Sequence, residues 1–324
     1  MSKNNFDTPI LIIFWRRSTS LKIVLDSLRV IAPVQIFLAS DGPREGNSLE
    51  AEQVAQARLL AEQTIDWPCE ITKRYSDSNQ GCKYGPANAI TWFFSHVEEG
   101  IILEDDCLPH PSFFGYCENL LERYRDDQRI WHISGNNFLG DESPSDYSYF
   151  FSKFTFIWGW ASWRRCWNQY DPEMQSWPLM KNGHLLKEVF ASEEEWNYWS
   201  KRWDEVSIDH SVTAWAYQWM YACILNGGLA ILPKSNLVEN IGFGEGGVHT
   251  LNQDSPMANI PTQDIGQEIK HPSYILQDRQ ADHKLFSRVY AESQTPISIP
   301  RKFWLKTYFT FMGIAQRASQ GIFG

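Results

Sequence analysis

Three acids in succession, Glu104-Asp105-Asp106, follow the apolar run Ile101-Ile102-Leu103. Carboxylates a few ångströms apart repel and raise one another's pKa, so a buried strand end is a costly place for three of them. A divalent cation removes that cost. Carboxylate oxygens favour hard ions such as Mg2+ or Mn2+, whose open positions take diphosphate oxygens and neutralise charge on a leaving group. Taken alone, the triplet is equally well read as a solvated turn with helix-capping acids.

Other residues could share that chemistry. Asp41 ends an apolar run in Ser40-Asp41-Gly42-Pro43, where a carboxylate could accept from a base or a ribose, although an Asp-Gly-Pro turn needs no ligand. Arg16 and Arg17 leave the first apolar run just before a helix start, a combination that suits a phosphate; their bland role is surface charge. Asn79, Gly81 and Lys83 share a short loop in which glycine permits close backbone approach and lysine can meet a phosphate. His249 follows the glycine-rich Gly242-Phe243-Gly244-Glu245-Gly246-Gly247, which could serve as a lid, and could complete a metal shell when that segment closes. A lone histidine is more often structural or exposed. Asp209 and His210, at an expected helix start, are candidates for deprotonating an acceptor hydroxyl. Asp209 is also simply a good N-cap.

The elements that must position these groups alternate through the first half, as a parallel sheet with crossover helices does. Ile10 to Phe14 reads as a buried strand, followed by a helix capped by Ser18 or Ser20 with Leu21, Val24, Leu25 and Leu28 on one face. Val34 to Ala39 is a second strand. Asn47 with Glu50 caps a helix to about Gln63, and Cys69 to Tyr75 is a third strand. Gly85-Pro86 is expected to open the next helix and Gly100 to stop it. Strand four then delivers the acids at its carboxyl end, where open α/β sheets bind ligands. A helix from Pro111, a strand from Ile130 to Ile133, helices over 192–206 and 209–225, and a strand from Leu229 to Leu232 complete the reading. No repeat or low-complexity segment is present.

With 324 residues and 43% hydrophobic content, the chain can bury a substantial core. A net charge of -10 argues against a nucleic-acid partner, which needs a basic face. Six scattered cysteines without a CxxC pair suit reduced thiols, and no signal-like start or long apolar span is visible, so a cytoplasmic location is expected. Pro300 to Gly324 mixes Arg301, Lys302, Lys306 and Arg317 with aromatics, and reads either as a helix seated on the inner face of an anionic membrane or as a packed terminal helix. Most of the 15 tryptophans fall between Trp131 and Trp219; stacked indoles suit sugar rings, but most are expected in the core.

Several segments, in this order, resemble the GT-A-fold glycosyltransferases. The likeness is to a bacterial group of nucleotide-diphospho-sugar transferases, some labelled hemolytic proteins, and to the Golgi N-acetylglucosaminyltransferases of the mannose core. Pro9 to Ile13 leading to Arg17-Ser18 is similar to that family's first strand and nucleotide-contacting arginine. Ser40-Asp41-Gly42 resembles its uracil-contacting turn, and Leu103 to Asp106 followed by Pro111-Ser112-Phe113-Phe114 its metal motif. Trp158-Gly159-Trp160 and Gly242-Phe243-Gly244 with His249 resemble its acceptor-side and lid segments. The resemblance covers about residues 9 to 250.

It implies an α/β, GT-A (Rossmann-like) mostly parallel sheet flanked by helices, with a nucleotide-sugar-binding half over 1–135 and an aromatic-rich acceptor-side half over 136–250; residues 251–324, outside the resemblance, are expected to form a C-terminal helical extension. The resemblance further implies inverting transfer from a nucleotide-diphospho-sugar, UDP-linked; the aromatic and basic C-terminal tail points to a growing bacterial surface glycan or a glycolipid as acceptor, in the making of cell-surface polysaccharide. Asp106 and His249 would hold Mn2+ or Mg2+, with Arg17, Asp41, Asn79, Lys83, Glu104 and Asp105 around the nucleotide sugar and Trp158 and Trp160 toward the acceptor. Where the family places its catalytic Asp after a late-helix Trp, this chain reads Trp215-Ala216-Tyr217, which leaves Asp209 or Glu205 as base, or electrostatics alone. Two other readings stand beside it: a sugar-nucleotide nucleotidyltransferase, whose glycine-rich N-terminal loop is missing here, and a non-catalytic glycan-binding or membrane-associated protein.

Overall fold

The computed structural model describes residues 6–142, 146–243 and 260–290. Residues 244–247 of the expected lid, His249, and the basic aromatic tail lie outside the described residues. Along the chain run β1 (Ile10–Phe14), α1 (Ser18–Ser27), β2 (Gln35–Ser40), α2 (Ser48–Thr64), β3 (Glu70–Tyr75), α3 (Gly81–His96), β4 (Glu99–Glu104), β5 (Cys107–Pro109), α4 (Pro111–Arg123) and β6 (Ile130–Ser134). Then follow β7 (Tyr149–Ser152), β8 (Trp160–Trp163), α5 (Arg164–Trp167), α6 (Trp177–Asn182), α7 (Glu193–Ser207), α8 (Ala216–Leu225), β9 (Leu229–Pro233), β10 (Val238–Asn240) and α9 (Arg279–Leu285).

Eight strands form one sheet in the order β3-β2-β1-β4-β8-β6-β9-β7. The first four pair in parallel, as do β6 and β9, whereas β8 and β7 run against their neighbours. This is the expected α/β class: a Rossmann-like, mostly parallel sheet flanked by helices. Buried apolar runs such as Ile10-Leu11-Ile12 explain it, because strands covered on both faces read as continuous hydrophobic stretches. On one face, Phe93 of α3 packs edge-on against Phe37 of β2. On the other, Glu62 of α2 accepts from the Tyr75 hydroxyl of β3. No helix among the described residues is long and apolar enough to cross a membrane.

Several boundaries differ from expectation for identifiable reasons. Helix α3 starts at Gly81 rather than at Gly85-Pro86, because an acceptor from β2's end caps it early, as described below. Gly100 does not stop that helix, which ends at His96; it lies inside β4, where a Cβ would sit 2.4 Å from the Phe93 ring. Neither Ser18 nor Ser20 caps α1, whose N-cap is Arg17. Asp209 opens no helix: α8 begins at Ala216, after a turn in which His210 takes φ 49°. Strand β8, between β4 and β6, has no sequence signal, because its four residues Trp160-Ala161-Ser162-Trp163 are short, lie in an aromatic-rich segment and show no period-2 alternation. The Asn47 cap of α2 holds as expected, its side chain accepting from the Glu50 amide.

Most of the tryptophans are core. Trp160 is fully buried and stacks at 5.8 Å on Trp215, 5.7 Å from Trp219 and 5.0 Å from His132. His132 is itself fully buried and bonded at both nitrogens: Trp219 Nε1–H donates to Nδ1 at 3.2 Å, and Nε2 faces the Phe156 carbonyl at 2.8 Å. An indole can only donate and a carbonyl only accept, so His132 must be the neutral Nε2–H tautomer. Burial pushes its pKa down to about 3. The unfolded imidazole takes a proton below about pH 6.5 while the folded one does not, so the unfolded state binds more protons and stability falls as pH drops through this window, by about 1.4 kcal/mol per pH unit. We expect the urea midpoint to decline from pH 7 to pH 5 and the ¹⁵N ring shifts of His132 to remain those of the neutral Nε2–H form at pH 5. An imidazolium signal at that pH refutes the assignment.

Candidate functional site

The carboxyl ends of β1, β2, β3 and β4 open into a cavity of about 480 Å³. Helix α3 covers it with Cys82, Gly85, Pro86 and Ala89, which recur at i, i+3, i+4 and i+7 and so form one stripe. Small residues on that stripe leave the space open. Across the cavity stand Ile157, Ala214, Trp215 and Ala216.

Glu104, Asp105 and Asp106 all line the cavity, and Asp105 and Asp106 are buried. Arg17, first residue before α1, closes on them: its Nη2 donates to Asp105 Oδ1 and, at 2.8 Å, to Asp106 Oδ2. The Trp15 backbone amide adds a bond to Asp105 Oδ2 at 3.3 Å. The turn after β1 is therefore folded onto the acids. Burial works against the charge on Arg17, but Asp105 and Asp106 outweigh it and hold its pKa above the ordinary value. Burial, then Asp106 and Asp105, push Glu104 up to about 8, and burial likewise raises Asp105 against the opposing pull of Arg17. Three carboxylates thus share one guanidinium.

Segment 238–243 lies across this pair. Strand β10 pairs antiparallel with β5, Asn240 opposite Cys107, and the Ile241 amide donates to the Asp106 carbonyl at 2.8 Å. Only glycine fits at 242, where a Cβ would sit 2.3 Å from Asp106 Oδ2 and 2.8 Å from Arg17 Nη1. Phe243 packs edge-on against Trp158. Strands of three residues carry too little pattern to be read, so this ladder had no sequence signal.

Asp41 also lines the cavity, but its oxygens are taken. They accept from the amides of Gly42 at 2.9 Å, Gln80 at 2.9 and 3.0 Å and Gly81 at 3.2 Å, and from Asn79 Nδ2 at 2.9 Å. Gln80 is right-handed and Gly81 left-handed at φ 76°, the succession that turns neighbouring amides toward one anion. Asp41 fills that anion position and caps α3. Burial raises its pKa; the bonds from Gln80, Gly42 and Gly81 oppose this.

Other expected site residues fall elsewhere. Lys83 sits off the cavity stripe of α3 and pairs with Glu173 at 3.0 Å. Trp158 and Trp160 are buried and do not line the cavity; Trp215 does, stacked on Trp160. Glu205 is paired with Arg202 and Asp209 is exposed, and neither reaches the cavity. The wall facing the acids, Ile157 with 214–216, holds no acid or base. Residues absent from the sequence reading do line it: Trp15, whose Nε1–H donates to the Gly42 carbonyl at 2.9 Å, Arg44, paired with Glu50, and Arg74.

Among the described residues no three His, Cys, Asp or Glu side chains converge as a complete metal shell. The donors present are hard carboxylate oxygens short of positive charge. That fits a cation of the Mg2+ class, which is usually held by one or two carboxylates plus substrate phosphates and water.

The protein is therefore of the Rossmann-like α/β class, with a cavity at the carboxyl edge of parallel strands. No family model and no curated protein matches the chain. Among solved structures it is similar to 4-diphosphocytidyl-2C-methyl-D-erythritol synthase from Anaerococcus prevotii, at 13% identity over 51% of this chain and 75% of that one, TM-score 0.32. A cytidylyltransferase from Leptospira borgpetersenii gives 11% identity, 51% and 64% coverage, and 0.31. The inositol-1-phosphate CTP transferase from T. maritima gives 13%, 69% and 84%, and 0.35. Likeness of this degree does not bear on the reaction. The last two are nucleotidyl transferases by name, and no glycosyltransferase family is matched.

The saturated carboxylate gives a direct expectation. Asp41→Ala leaves the amides of Gln80 and Gly81 without their acceptor and should lower stability by about 2 kcal/mol, the range of a lost helix cap with buried donors. Amide exchange at residues 80 to 84 should quicken. An unchanged urea midpoint would show that Asp41 is not structural.

Proposed function

We propose that this cavity binds a nucleotide-diphospho-sugar and transfers its sugar to an acceptor hydroxyl, with a divalent cation at Asp106 and Asp105. The observation that carries the reading is the cluster of three carboxylates at the end of β4, short of positive charge, within a cavity at the carboxyl edge of the parallel strands. Mn2+ or Mg2+ would be held by Asp106 and Asp105 and would neutralise charge on the departing nucleoside diphosphate. Arg17 donates into the same region and is placed to hold a phosphate oxygen once released from the carboxylates. Trp215 offers the aromatic face to a sugar ring. With Ala216 at the position the GT-A resemblance reserves for an acid, stabilisation of the leaving group carries more of the catalysis here.

Nucleotidyl transfer, making the nucleotide sugar from a nucleoside triphosphate and a sugar phosphate, is the second reading. The cluster of three acids at the end of β4 would serve it equally well. Against it stands the turn after β1, Trp15-Arg16-Arg17, which has no glycine and is folded onto the acids.

Products separate the two. Purified protein with Mn2+ and a panel of nucleotide sugars should release nucleoside diphosphate; pyrophosphate from a nucleoside triphosphate plus a sugar phosphate would establish the second reading instead. In Asp106→Asn, nucleoside diphosphate release should fall at least a hundredfold, about 2.7 kcal/mol of transition-state stabilisation, while the melting temperature stays close to that of the parent. Full activity with unchanged metal dependence in this variant removes Asp106 from the site.

A further inference from the structure

Register in the parallel half of the sheet places four cavity residues in one row. Ile13 of β1 is opposite Ala39 of β2 on one side and Glu104 of β4 on the other, and Ala39 is opposite Arg74 of β3. Opposed residues of neighbouring strands point to the same face, and all four line the cavity. The row therefore forms a floor: a carboxylate at one end, two apolar side chains between, a guanidinium at the other. Three strand spacings separate the ends, roughly 14 Å.

The two ends differ in how they are satisfied. Arg17 is engaged by Asp105 and Asp106, and Arg16 and Arg44 both pair with Glu50. Arg74 is half-buried, and its side chain has no hydrogen bond or ion pair among the described residues. Among the described cations lining the cavity it is the unengaged one. Asp41, the acid closest in type to a base-reading group, is consumed by the start of α3, and Asn79 donates to Asp41 and to the Gly42 carbonyl.

We infer that Arg74 is a specificity-determining residue that receives the carbonyl edge of the nucleotide base. The inference rests on the nucleotide-sugar reading above: with the diphosphate at the acids of β4, the nucleoside extends along the Ile13–Ala39 floor and its base arrives at the β3 end. A guanidinium presents only donors, so it matches the carbonyl oxygen of uracil, thymine, cytosine or guanine. Adenine has no carbonyl and carries an amino donor where uracil and guanine have one, leaving only ring nitrogens as acceptors. The cavity thus selects carbonyl-bearing nucleotides against adenine nucleotides through a residue three strands away from the acids.

Calorimetric titration with UDP, GDP, CDP and ADP in the presence of Mn2+ tests this on the full chain. The parent should bind at least one carbonyl-bearing nucleoside diphosphate about tenfold or more tightly than ADP, and Arg74→Ala should weaken that nucleotide by about ten- to a hundredfold while ADP changes little. Arg74→Lys keeps the charge without the fork and should lose most of the same preference. Equal weakening of UDP and ADP in Arg74→Ala, with rescue by Arg74→Lys, makes Arg74 a phosphate contact and overturns the inference alone. Unchanged affinities in Arg74→Ala likewise overturn it while leaving the nucleotide site in place. Absence of binding by all four nucleotides to the parent overturns both the inference and the function it rests on.

Discussion

The rest of the site depends on how three neighbouring carboxylates at the end of a buried strand are kept charged or neutral. At separations of a few ångströms away from bulk water, like charges cost several kcal/mol unless a counter-charge shares the space. Arg17 supplies one. Its placement dictates the turn after β1: Trp15 must present its amide to Asp105, α1 must begin immediately at Ser18, and the chain passing over the pair must have no side chain at position 242. The compensation is incomplete, and the structure answers by holding a proton on Glu104 well above the usual carboxylate range. A doubly charged ion would do better than a proton.

The same logic, with the sign reversed, organises the neighbouring strand end. The start of α3 is a set of unpaired amides, and the Gln80–Gly81 succession gathers them toward an anion. In many α/β proteins that anion is a ligand phosphate. Here Asp41 takes the place, so the helix terminus contributes stability and shape but no free donors. The donors facing the cavity along this edge are therefore side chains, with Arg17, just after β1, and Arg74 of β3 both in its lining.

How much of this could be read in the residues follows from how local each signal is. The alternation from β1 to β4 was legible because each apolar run is self-sufficient: Ile10, Leu11, Ile12 and Phe14 are buried whichever strand lies beside them. The acids at the end of β4 were legible for the same reason, since strand polarity alone puts them at the ligand edge. Roles set by partners far along the chain were not. Lys83 meets Glu173 ninety residues on, and Asp41 meets the backbone amides of Gln80 and Gly81 and the Asn79 side chain, which only the crossover between β2 and α3 brings together. Arg74 sits in a strand of mixed polarity, and only the register that places it in line with Glu104 gives it meaning. Short aromatic strands such as β8 carry no alternation to detect.

That antiparallel insertion also explains the division of labour in the cavity. Strand β8 pairs with β4 through Ile102 and Trp160, so Trp160 faces the side covered by α3, and α8 docks there through Trp215 and Trp219. This stack fixes where α8 begins, and so brings Ala214, Trp215 and Ala216 to the cavity wall. The first half of the sheet contributes charge and the second contributes shape. Among the described residues the wall opposite the acids carries no titratable group, so in the transfer proposed above the charged groups all stand on the side of the departing phosphate. An acid at position 216 would have made proton removal from an acceptor the natural partner of that step. With a methyl group there instead, the proposed reaction would lean on leaving-group stabilisation, a feature that sugar transfer and nucleotidyl transfer have in common.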